Sequence, residues 1–482
     1  MVLMRSTFFR KIIPIFICFC LFACEEIEKP NSVNKENVAV PPNIIILLAD
    51  DLGYGDLSIY GSQSIETPNI DALAREGMRF SQFYSGSAVC SPSRACLLTG
   101  KYPLRYDIRQ HFNDNQEHLP ESSITLPELL RDNGYKTVHI GKWHLGGLRP
   151  IDYEGRGQGK KVNPGPLQHG FDHYLTSIEG APIRPKLIKE RKLYREGGKF
   201  MIRNDRRADT INKHWTEIKV DEAISKIDIY QNENAPFFIN LWFDVPHTPY
   251  EPAPEPHLSK YKKLGATGDQ LYFRSMVSHL DANIGRLIAH LKEKGIFENT
   301  IILFTSDNGP AFQGSPGPFS GGKTDLHEGG LRVPMLAVWK GKIPENTHSF
   351  NTLHMADILP TLADAVGINI DNLEIDGISA LPLLEKNNYV ERDALYWQMD
   401  LYKGFQNQGP KPHPYATSGI VQGKWKMLMD STGPAALYDL GQDHRELYNL
   451  MGKHPIIEKE LSSKLEDFLM AKRDTTGYIE VK

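Results

Sequence analysis

Four strand-like runs, each followed by polar residues, constrain the fold of this 482-residue chain more than any other feature, and the first of them is continuously apolar. A run without polar alternation is typical of a strand that is buried on both faces, and such strands form parallel sheets. The polar residues after each run would then lie at the carboxyl ends of the strands. The runs are Asn43–Ala49, Tyr135–Ile140, Phe237–Phe243 and Thr300–Thr305.

Helical patterns separate these runs along the chain. The segment from Thr67 to Gly77 is amphipathic and ends in glycine, and Leu126–Asp132 and Tyr272–Lys294 continue the alternation. Alternating strands and helices predict an α/β fold with a large, mostly parallel sheet flanked by helices. Ligands of such sheets bind at the carboxyl ends of the strands, so the polar residues there are interpreted as one site.

The pattern changes near Leu384. The segments Thr417–Gln422 and Lys424–Met429 read as hairpin strands joined through Gly423, and Ile456–Met470 reads as a closing helix. A chain of this length exceeds one usual core, so a large domain with a smaller one is expected. We therefore predict a large domain over 42–384 and a small α+β domain over 385–482.

The first residues read as an export leader. Residues 1–23 combine a basic start with an apolar core that is too short for a stable membrane anchor. Leu21-Phe-Ala-Cys24 resembles a bacterial lipobox, which predicts lipidation at Cys24 and a place in the bacterial cell envelope. Ordinary secretion after cleavage nearby is the alternative. Residues 24–41 are polar and suit a flexible tether.

Charge and cysteine content exclude two classes of protein. The formal net charge is −4, and the leader carries three basic residues and no acid, so the chain has no overall attraction for nucleic acid. Its five cysteines form no even set outside the leader for a disulfide framework. Cys90 and Cys96 lie too far apart around one helix to bridge, and Cys96 is expected to be a small buried residue.

Cys90 lies where a helix is expected to begin. Ser91 can cap that helix, Pro92 suits its first turn, and Gly100 can end it. The free N–H groups at such a start favour an anionic ligand and a thiolate, and Arg94 could turn back toward Cys90. The alternative interpretation of this segment is a helix start with a small buried cysteine.

Oxygen-donor side chains follow two of the apolar runs. Asp50 and Asp51 end the first run, and Asp307 and Asn308 follow the fourth. Oxygen-only ligands suit a hard cation, Ca²⁺ or Mg²⁺, and not zinc. A single pair of this kind would more often be a loop or a helix cap, but two pairs at two strand ends, with Cys90 between them in sequence, indicate a metal site.

The segment Cys90-Ser-Pro-Ser-Arg94, continued by Ala-Cys-Leu-Leu-Thr-Gly-Lys-Tyr-Pro, resembles the signature of the formylglycine-dependent (type I) sulfatases of the alkaline phosphatase-like superfamily. The resemblance runs from about Pro42 to about Leu450. It implies that a sulfatase-maturing enzyme oxidises Cys90 to 3-oxoalanine (formylglycine), whose hydrate is the nucleophile. It also implies one Ca²⁺ ion. The implied metal ligands are Asp50, Asp51, the group derived from Cys90, Asp307 and Asn308.

Three further motifs have a counterpart in the same family: Gly-Lys142-Trp-His144-Leu-Gly, Pro-His247-Thr-Pro and Gly-Gly-Lys323. Cations near the bridging oxygen stabilise the charge that develops as the S–O bond breaks. The resemblance implies that Lys142 and Lys323 bind sulfate and that His247 is the general acid. Arg94 and His144 would orient the nucleophile, or His144 would be the base that breaks the sulfated intermediate. The implied catalytic set is Cys90, Arg94, Lys142, His144, His247 and Lys323.

We therefore expect a sulfuric ester hydrolase that acts on a sulfated carbohydrate, with an algal polymer such as ulvan or carrageenan favoured over a glycosaminoglycan. The alternatives are a phosphodiesterase or phosphonate hydrolase of the same superfamily and a non-catalytic lipoprotein that binds sulfated glycans. The basic segment 183–207 is either a solvated face or part of the cleft for a sulfated polymer. Membrane contact is expected only through the lipid anchor.

Overall fold

The computed structural model describes residues 40–112, 117–146, 164–177, 201–208, 213–401, 416–471 and 473–474. Pro41 and the described residues after it belong to one compact unit. The predicted leader, Cys24, nearly all of the tether and most of the basic segment lie outside these ranges. Within them, no helix has the length and apolar character that crossing a bilayer would require.

A ten-stranded sheet forms the centre of the molecule. Its strands are β1 (Asn43–Ala49), β2 (Met78–Tyr84), β3 (Lys136–Gly141), β4 (His173–Ser177), β5 (Met201–Arg203), β6 (Arg206–Arg207), β7 (Phe237–Trp242), β8 (Thr300–Ser306), β9 (Met335–Val338) and β10 (Thr347–His354). The spatial order is β10–β2–β9–β8–β1–β7–β3–β4–β5–β6.

Most neighbouring strands run in the same direction. Parallel pairs join β8, β1, β7, β3 and β4 in one continuous series. β9 is antiparallel to both β2 and β8, so β2 has the direction of the series. The carboxyl ends of these parallel strands therefore lie at one edge of the sheet, as the sequence predicts.

Helices cover both faces of this sheet, and the last helix of the chain packs on a second sheet. The helices are α1 (Pro68–Arg75), α2 (Cys90–Thr99), α3 (Leu126–Asp132), α4 (Trp215–Asn232), α5 (His257–Lys263), α6 (Gly268–Glu293), α7 (Glu328–Leu331), α8 (Ile358–Ala365), α9 (Leu381–Lys386) and α10 (Pro455–Leu469). Short 3₁₀ turns occur at Tyr54–Asp56, Ser58–Tyr60, Pro103–Tyr106, Pro166–His169 and Met355–Asp357.

Alternate residues of β1 pack into two different cores. Ile44, Ile46 and Leu48 lie in a cluster with α2, α3, α8 and α9. Ile45 and Leu47 lie in a second cluster with α1, α4 and α6. All seven residues of β1 are buried, because both faces of the strand are covered. This is the physical reason for a continuous apolar run with polar residues only at its end.

A second sheet follows in sequence after α9. It is antiparallel, in the order β11 (Leu395–Gln398), β12 (Ser418–Gln422), β13 (Trp425–Asp430) and β14 (Gly433–Asp439). Its apolar face packs on the segment that leads to α2, and the indole N–H of Trp397 donates to the Ser85 carbonyl at 2.9 Å. The predicted small α+β region is confirmed as a separate sheet with its helix, whereas the boundary at 384/385 stays a prediction.

Several strands are absent from the sequence-based description. β10 is polar along most of its length because it lies at the outer edge of the large sheet, where one side has no partner strand. β4, β5, β6 and β11 have five residues or fewer. Strands this short carry too few residues to show a period of two.

Candidate active site

Polar side chains meet at the carboxyl edge of the large sheet. Asp50 and Asp51 follow β1, Asp307 follows β8, and Lys142 follows β3. Backbone hydrogen bonds fix the strand ends: the Asp307 N–H donates to the Ala49 carbonyl at 3.2 Å. The Asp51 N–H donates to Asp307 Oδ1 at 3.2 Å. The sequence-predicted residues of two distant segments are therefore in direct contact.

Cys90 is the first residue of α2, and Val89 is the residue before it. The prediction that Cys90 precedes a helix capped by Ser91 is therefore wrong by two residues. The Ser91 hydroxyl instead accepts the N–H of Phe112 at 3.0 Å, because a loop covers this end of the helix. Cys90 Sγ lies 3.7 Å from Asp50 Oδ1.

The Cys90 side chain does not favour a thiolate. It is 1% exposed, and burial raises its pKa to about 12 although Lys142 and Lys323 act in the opposite direction. The expectation from the helix start is overturned because loss of water outweighs both the free N–H groups and the nearby cations. At neutral pH the unmodified residue is a thiol.

Arg94 is fully buried beneath this cluster. The sequence predicts that it turns toward Cys90. In the structure its guanidinium contacts Asp307 Oδ2 at 2.6 and 3.1 Å and Asp50 Oδ1, the oxygen that Cys90 Sγ contacts, at 3.4 Å. It also donates to the Lys142 carbonyl at 3.0 Å and lies over the Trp242 ring. Arg94 therefore ties the end of β3 to the end of β8 through the Lys142 carbonyl and the buried Asp307 carboxylate.

Two lysines pair with the carboxylates that follow β1. Lys142 Nζ lies 2.8 Å from Asp50 Oδ2, and Lys323 Nζ lies 2.8 Å from Asp51 Oδ2. Burial alone would raise the pKa of Asp50, but Lys142 and the other nearby cations hold it well below its usual value. The carboxylates in turn raise the pKa of both lysines, despite their burial. Both lysines are therefore protonated at neutral pH.

The two predicted histidines flank the cluster. His247 Nε2 lies 3.6 Å from Asp51 Oδ2, and its Nδ1 donates to the Thr248 carbonyl. Burial, together with the charge of Lys323, lowers the pKa of His247 to about 4, although the side chain keeps 32% of its surface exposed. His144 lies 3.2 Å from the Phe112 carbonyl, and burial also lowers its pKa. Both are neutral at pH 7 in this arrangement.

The carboxylate and amide oxygens of the site suit a hard cation. Ligand atoms of Asp50, Asp51, Cys90 and His247 all lie within 4.8 Å of one another. The Asn308 amide nitrogen donates to Asp51 Oδ1 at 2.8 Å and to the Gly309 carbonyl at 2.9 Å, which fixes the orientation of the amide. Its Oδ1 is then buried with no hydrogen-bond partner. A buried oxygen without a donor beside two carboxylates fits a bound cation.

Comparison with known proteins agrees with this geometry. Residues 42–368 match the family model described as Sulfatase, and 322–474 match the one described as N-sulphoglucosamine sulphohydrolase, C-terminal. The chain belongs to the sulfatase family. It is therefore a hydrolase of sulfuric esters, and the resemblance found in its sequence is confirmed.

Relatives of this sulfatase cover most of its length. Human N-acetylgalactosamine-6-sulfatase is 35% identical over 381 residues, which are 75% of this chain and 69% of the relative. Human arylsulfatase A is 32% identical over 469 residues, 86% of this chain and 84% of the relative. The crystal structure of Ps i-CgsB in complex with k-i-k-neocarrahexaose superposes with a TM-score of 0.78 at 26% identity, over 92% of this chain and 95% of that one.

Two residues near the reaction centre of the sulfatase carry no signal in the sequence. The His111 ring lies 6.0 Å from that of His144, and its segment reads only as a loop after α2. Asp56 is 2% exposed and accepts N–H groups from Gly53 at 2.8 Å and from Ser315 at 2.9 Å. Asp56 thus joins the turn after the Asp50–Asp51 pair to a loop that is more than 250 residues away in sequence.

Proposed function

We propose that this sulfatase removes sulfate from a sulfated carbohydrate, a polysaccharide or its oligosaccharides. One observation carries the proposal: two protonated lysines, Lys142 and Lys323, lie beside the oxygen-donor cluster that also contacts Cys90. This arrangement offers fixed positive charge to a sulfate oxygen next to the position of the nucleophile. The likeness to the structure of Ps i-CgsB in complex with k-i-k-neocarrahexaose supports a glycan substrate.

The proposal includes two groups that the chain acquires. Ca²⁺, held by Asp50, Asp51, Asp307, Asn308 and the residue at 90, would supply a Lewis acid for a sulfate oxygen. Formylglycine made from Cys90 would supply the nucleophilic hydroxyl. A buried thiol with a pKa of about 12 is a poor nucleophile at neutral pH, which agrees with a need for conversion.

Arg94 positions the reacting residues in this proposal. Its guanidinium is fully buried and is held by Asp307, the Lys142 carbonyl and the Trp242 ring. It therefore acts through Asp307 and the backbone of Lys142. A substitution of Arg94 would displace both and would leave the Asp307 carboxylate without its partner.

His247 is the proposed contact to the leaving oxygen, as the family resemblance implies. Its Nε2 faces Asp51, and its side chain is the most exposed of the predicted catalytic groups with a stated exposure. With a pKa near 4 it is neutral before substrate binds, so it would donate a proton only after a bound sulfate offsets the charge of Lys323. His144, also neutral, is the proposed base for renewal of the nucleophile.

Mass spectrometry of the peptide that contains Cys90 tests the nucleophile. Protein from a host that matures a control sulfatase should carry the mass of formylglycine at position 90 and an unmodified thiol at Cys96. An unmodified Cys90 in that host would contradict the proposal and favour a glycan-binding lipoprotein. The same preparation, assayed on paired sulfate and phosphate or phosphonate esters, should hydrolyse the sulfate ester faster. The reverse preference would favour the phosphodiesterase or phosphonate hydrolase alternative.

A substrate panel tests the carbohydrate class. We propose an algal polymer, such as carrageenan or ulvan, over a glycosaminoglycan. Sulfate release should be measured on oligosaccharides of carrageenan, ulvan and chondroitin sulfate at equal sulfate concentration. A preference for N-acetylgalactosamine 6-sulfate units would instead agree with the human relative of that name and would overturn the algal assignment.

We also propose that the chain is exported and lipid-anchored at Cys24 in the bacterial cell envelope. The support is the lipobox-like segment Leu21–Cys24 and the polar residues that follow it. Cys24→Ala should abolish incorporation of radiolabelled fatty acid and release the protein from the membrane fraction. Unchanged labelling of the variant would contradict the anchor.

A further inference from the structure

The loop after the metal-binding pair Asp307–Asn308 carries an unusual aromatic residue. Phe312 has a backbone φ of 48°, a left-handed conformation that is unfavourable for a bulky side chain. Its side chain is 55% exposed, so it contributes little to the buried core. A strained backbone at an exposed aromatic residue persists only where neighbouring contacts fix it, and such positions concentrate at functional sites.

Two sides of this loop are tied to residues of the reaction centre. The Lys323 N–H donates to the Pro310 carbonyl at 2.8 Å, so one end of the loop is joined to a lysine of the site. The Gln313 N–H, next to Phe312, donates to the Tyr250 hydroxyl at 3.3 Å, three residues beyond His247. Phe312 thus lies between the segments that carry Lys323 and His247.

The third side is tied to the turn after the Asp50–Asp51 pair. Asp56 accepts N–H groups from both Gly53 and Ser315. The two backbones approach so closely that a Cβ at Gly53 would lie 2.1 Å from the Ser315 carbonyl oxygen. The loop is therefore fixed against the metal-binding turn, and Phe312 is a rigid feature of its tip.

We propose that Phe312 is a sugar-binding platform on the rim of the active site, on the side of the leaving group. This inference rests on the proposed function, since it requires a carbohydrate substrate. The charged cluster accounts for the sulfate group but offers nothing for the apolar C–H face of the sugar ring. A rigid exposed aromatic face next to the segment of His247 supplies that contact at small entropic cost.

Phe312→Ala tests the platform against Phe350→Ala. Phe350 is a matched control, because it is 66% exposed and lies in edge strand β10. On a sulfated oligosaccharide, Phe312→Ala should raise KM roughly 3- to 10-fold with kcat within about twofold, the effect of losing one aromatic contact. Phe350→Ala should change neither constant. The inhibition constant for inorganic sulfate should stay unchanged in both variants, because the charged cluster is intact.

Phe312→Gly and Phe312→Trp separate recognition from backbone strain. Glycine relieves the positive φ, so a purely structural residue would give normal KM and equal or higher stability. The platform predicts a KM raised as in Phe312→Ala, with near-normal KM in Phe312→Trp. Equal kinetics of Phe312→Ala and Phe350→Ala would overturn the platform while the proposed function stands. A wild-type enzyme that hydrolyses a non-carbohydrate sulfate ester but no glycan would overturn the proposed function, and the platform with it.

Discussion

Two buried charged clusters of this sulfatase have the same balance of charge and different surroundings. The catalytic cluster consists of Asp50, Asp51, Arg94, Lys142, Asp307 and Lys323. The inter-sheet cluster consists of Glu328, Arg332, Lys426 and Glu446. Lys426 Nζ lies 2.9 Å from Glu328 and 2.8 Å from Glu446, and Tyr84 donates to Glu328 at 2.8 Å. Each cluster contains as many carboxylates as cations.

The two clusters differ in their exposure to solvent and in the presence of a buried oxygen that has neither a hydrogen bond nor an ion pair. Glu328 and Lys426 are fully buried, and Glu446 is nearly so. Glu446 Oε1 makes no hydrogen bond to a described residue, but it lies 2.8 Å from Lys426 Nζ in an ion pair. The catalytic cluster has a 12% exposed Lys142 on its open side, and Asn308 Oδ1 lies beside it with no hydrogen-bond partner. Balanced charge therefore does not identify a functional site. An open side with an unsatisfied buried ligand atom does, because it can accept an ion and a substrate.

Cys90→Ala should break catalysis without unfolding the protein. Removal of the nucleophile should lower kcat by roughly 10⁴-fold or more, measured as sulfate release. The unfolding free energy should fall by no more than about 1 kcal/mol, because the side chain is small and its hydrogen bond to Asp50 is long at 3.7 Å. Cys96→Ala, in the same helix and equally buried, is the control. It should keep kcat and lose about 1 kcal/mol of stability. Substantial activity of Cys90→Ala would show that residue 90 is not the source of the nucleophile.

Lys426→Met, in the inter-sheet cluster, should destabilise the protein without lowering kcat. The change leaves Glu328 and Glu446 buried with one cation fewer, which should cost about 3–5 kcal/mol of unfolding free energy. The fraction that is folded should keep normal kcat, because no residue of the catalytic cluster touches Lys426. Urea unfolding combined with activity measured below the transition checks both parts.

Lys424→Met is the matched control for that variant. Lys424 lies two residues earlier, is 55% exposed and pairs with Asp439 at 2.6 Å. Its loss should cost at most about 1 kcal/mol. Equal destabilisation by the two substitutions would mean that burial of the inter-sheet cluster does not determine its contribution.

Chelation of Ca²⁺ should affect only the catalytic cluster. Calcium at about 100 times its dissociation constant should stabilise the folded protein by about 2.7 kcal/mol, seen as a higher melting temperature. Asn308→Ala should abolish this shift, because it removes the unsatisfied ligand oxygen. Lys426→Met should lower the melting temperature but keep the calcium-induced increase. A calcium shift that survives in Asn308→Ala would contradict the proposed ligand set.

The comparison also shows which features a sequence can predict. Asp50 and Asp51 were predictable because they follow an apolar run, and the parallel sheet brings such ends together. Lys142 was predicted from its family-like motif after a strand. The partner of Arg94 was not predictable, since Asp307 lies 213 residues away in the sequence. The helix start was displaced from Ser91 because all ten residues of α2 are buried, so tertiary contacts override local capping.

No pattern in the sequence predicts the inter-sheet cluster. Glu328 and Lys426 are 98 residues apart, and each reads as an ordinary surface charge in its own segment. The same holds for Asp56, whose second partner is Ser315. Local pattern predicts which residues end a strand, but it carries no information on which distant charge shares a buried space.

Asp56 differs from the carboxylates of both clusters, because it is a buried carboxyl with no cation among its hydrogen-bond partners. Burial raises its pKa from 3.8 to about 8, despite the N–H groups of Gly53 and Ser315. A raised pKa favours the folded state at low pH, and that contribution is lost as the pH rises from about 4 through 8. Unfolding free energy should therefore fall by at most about 1.4 kcal/mol per pH unit in this window.

Asp56→Asn removes the titrating group but keeps a similar shape. The unfolding free energy of the wild type minus that of the variant should fall as the pH rises from 5 to 8, measured by urea unfolding at each pH. If this value is instead constant across the window, the wild-type carboxyl is already ionised in the folded state, and its two N–H donors outweigh burial. That result would make Asp56 resemble the paired carboxylates of the inter-sheet cluster, with backbone N–H groups in place of Lys426.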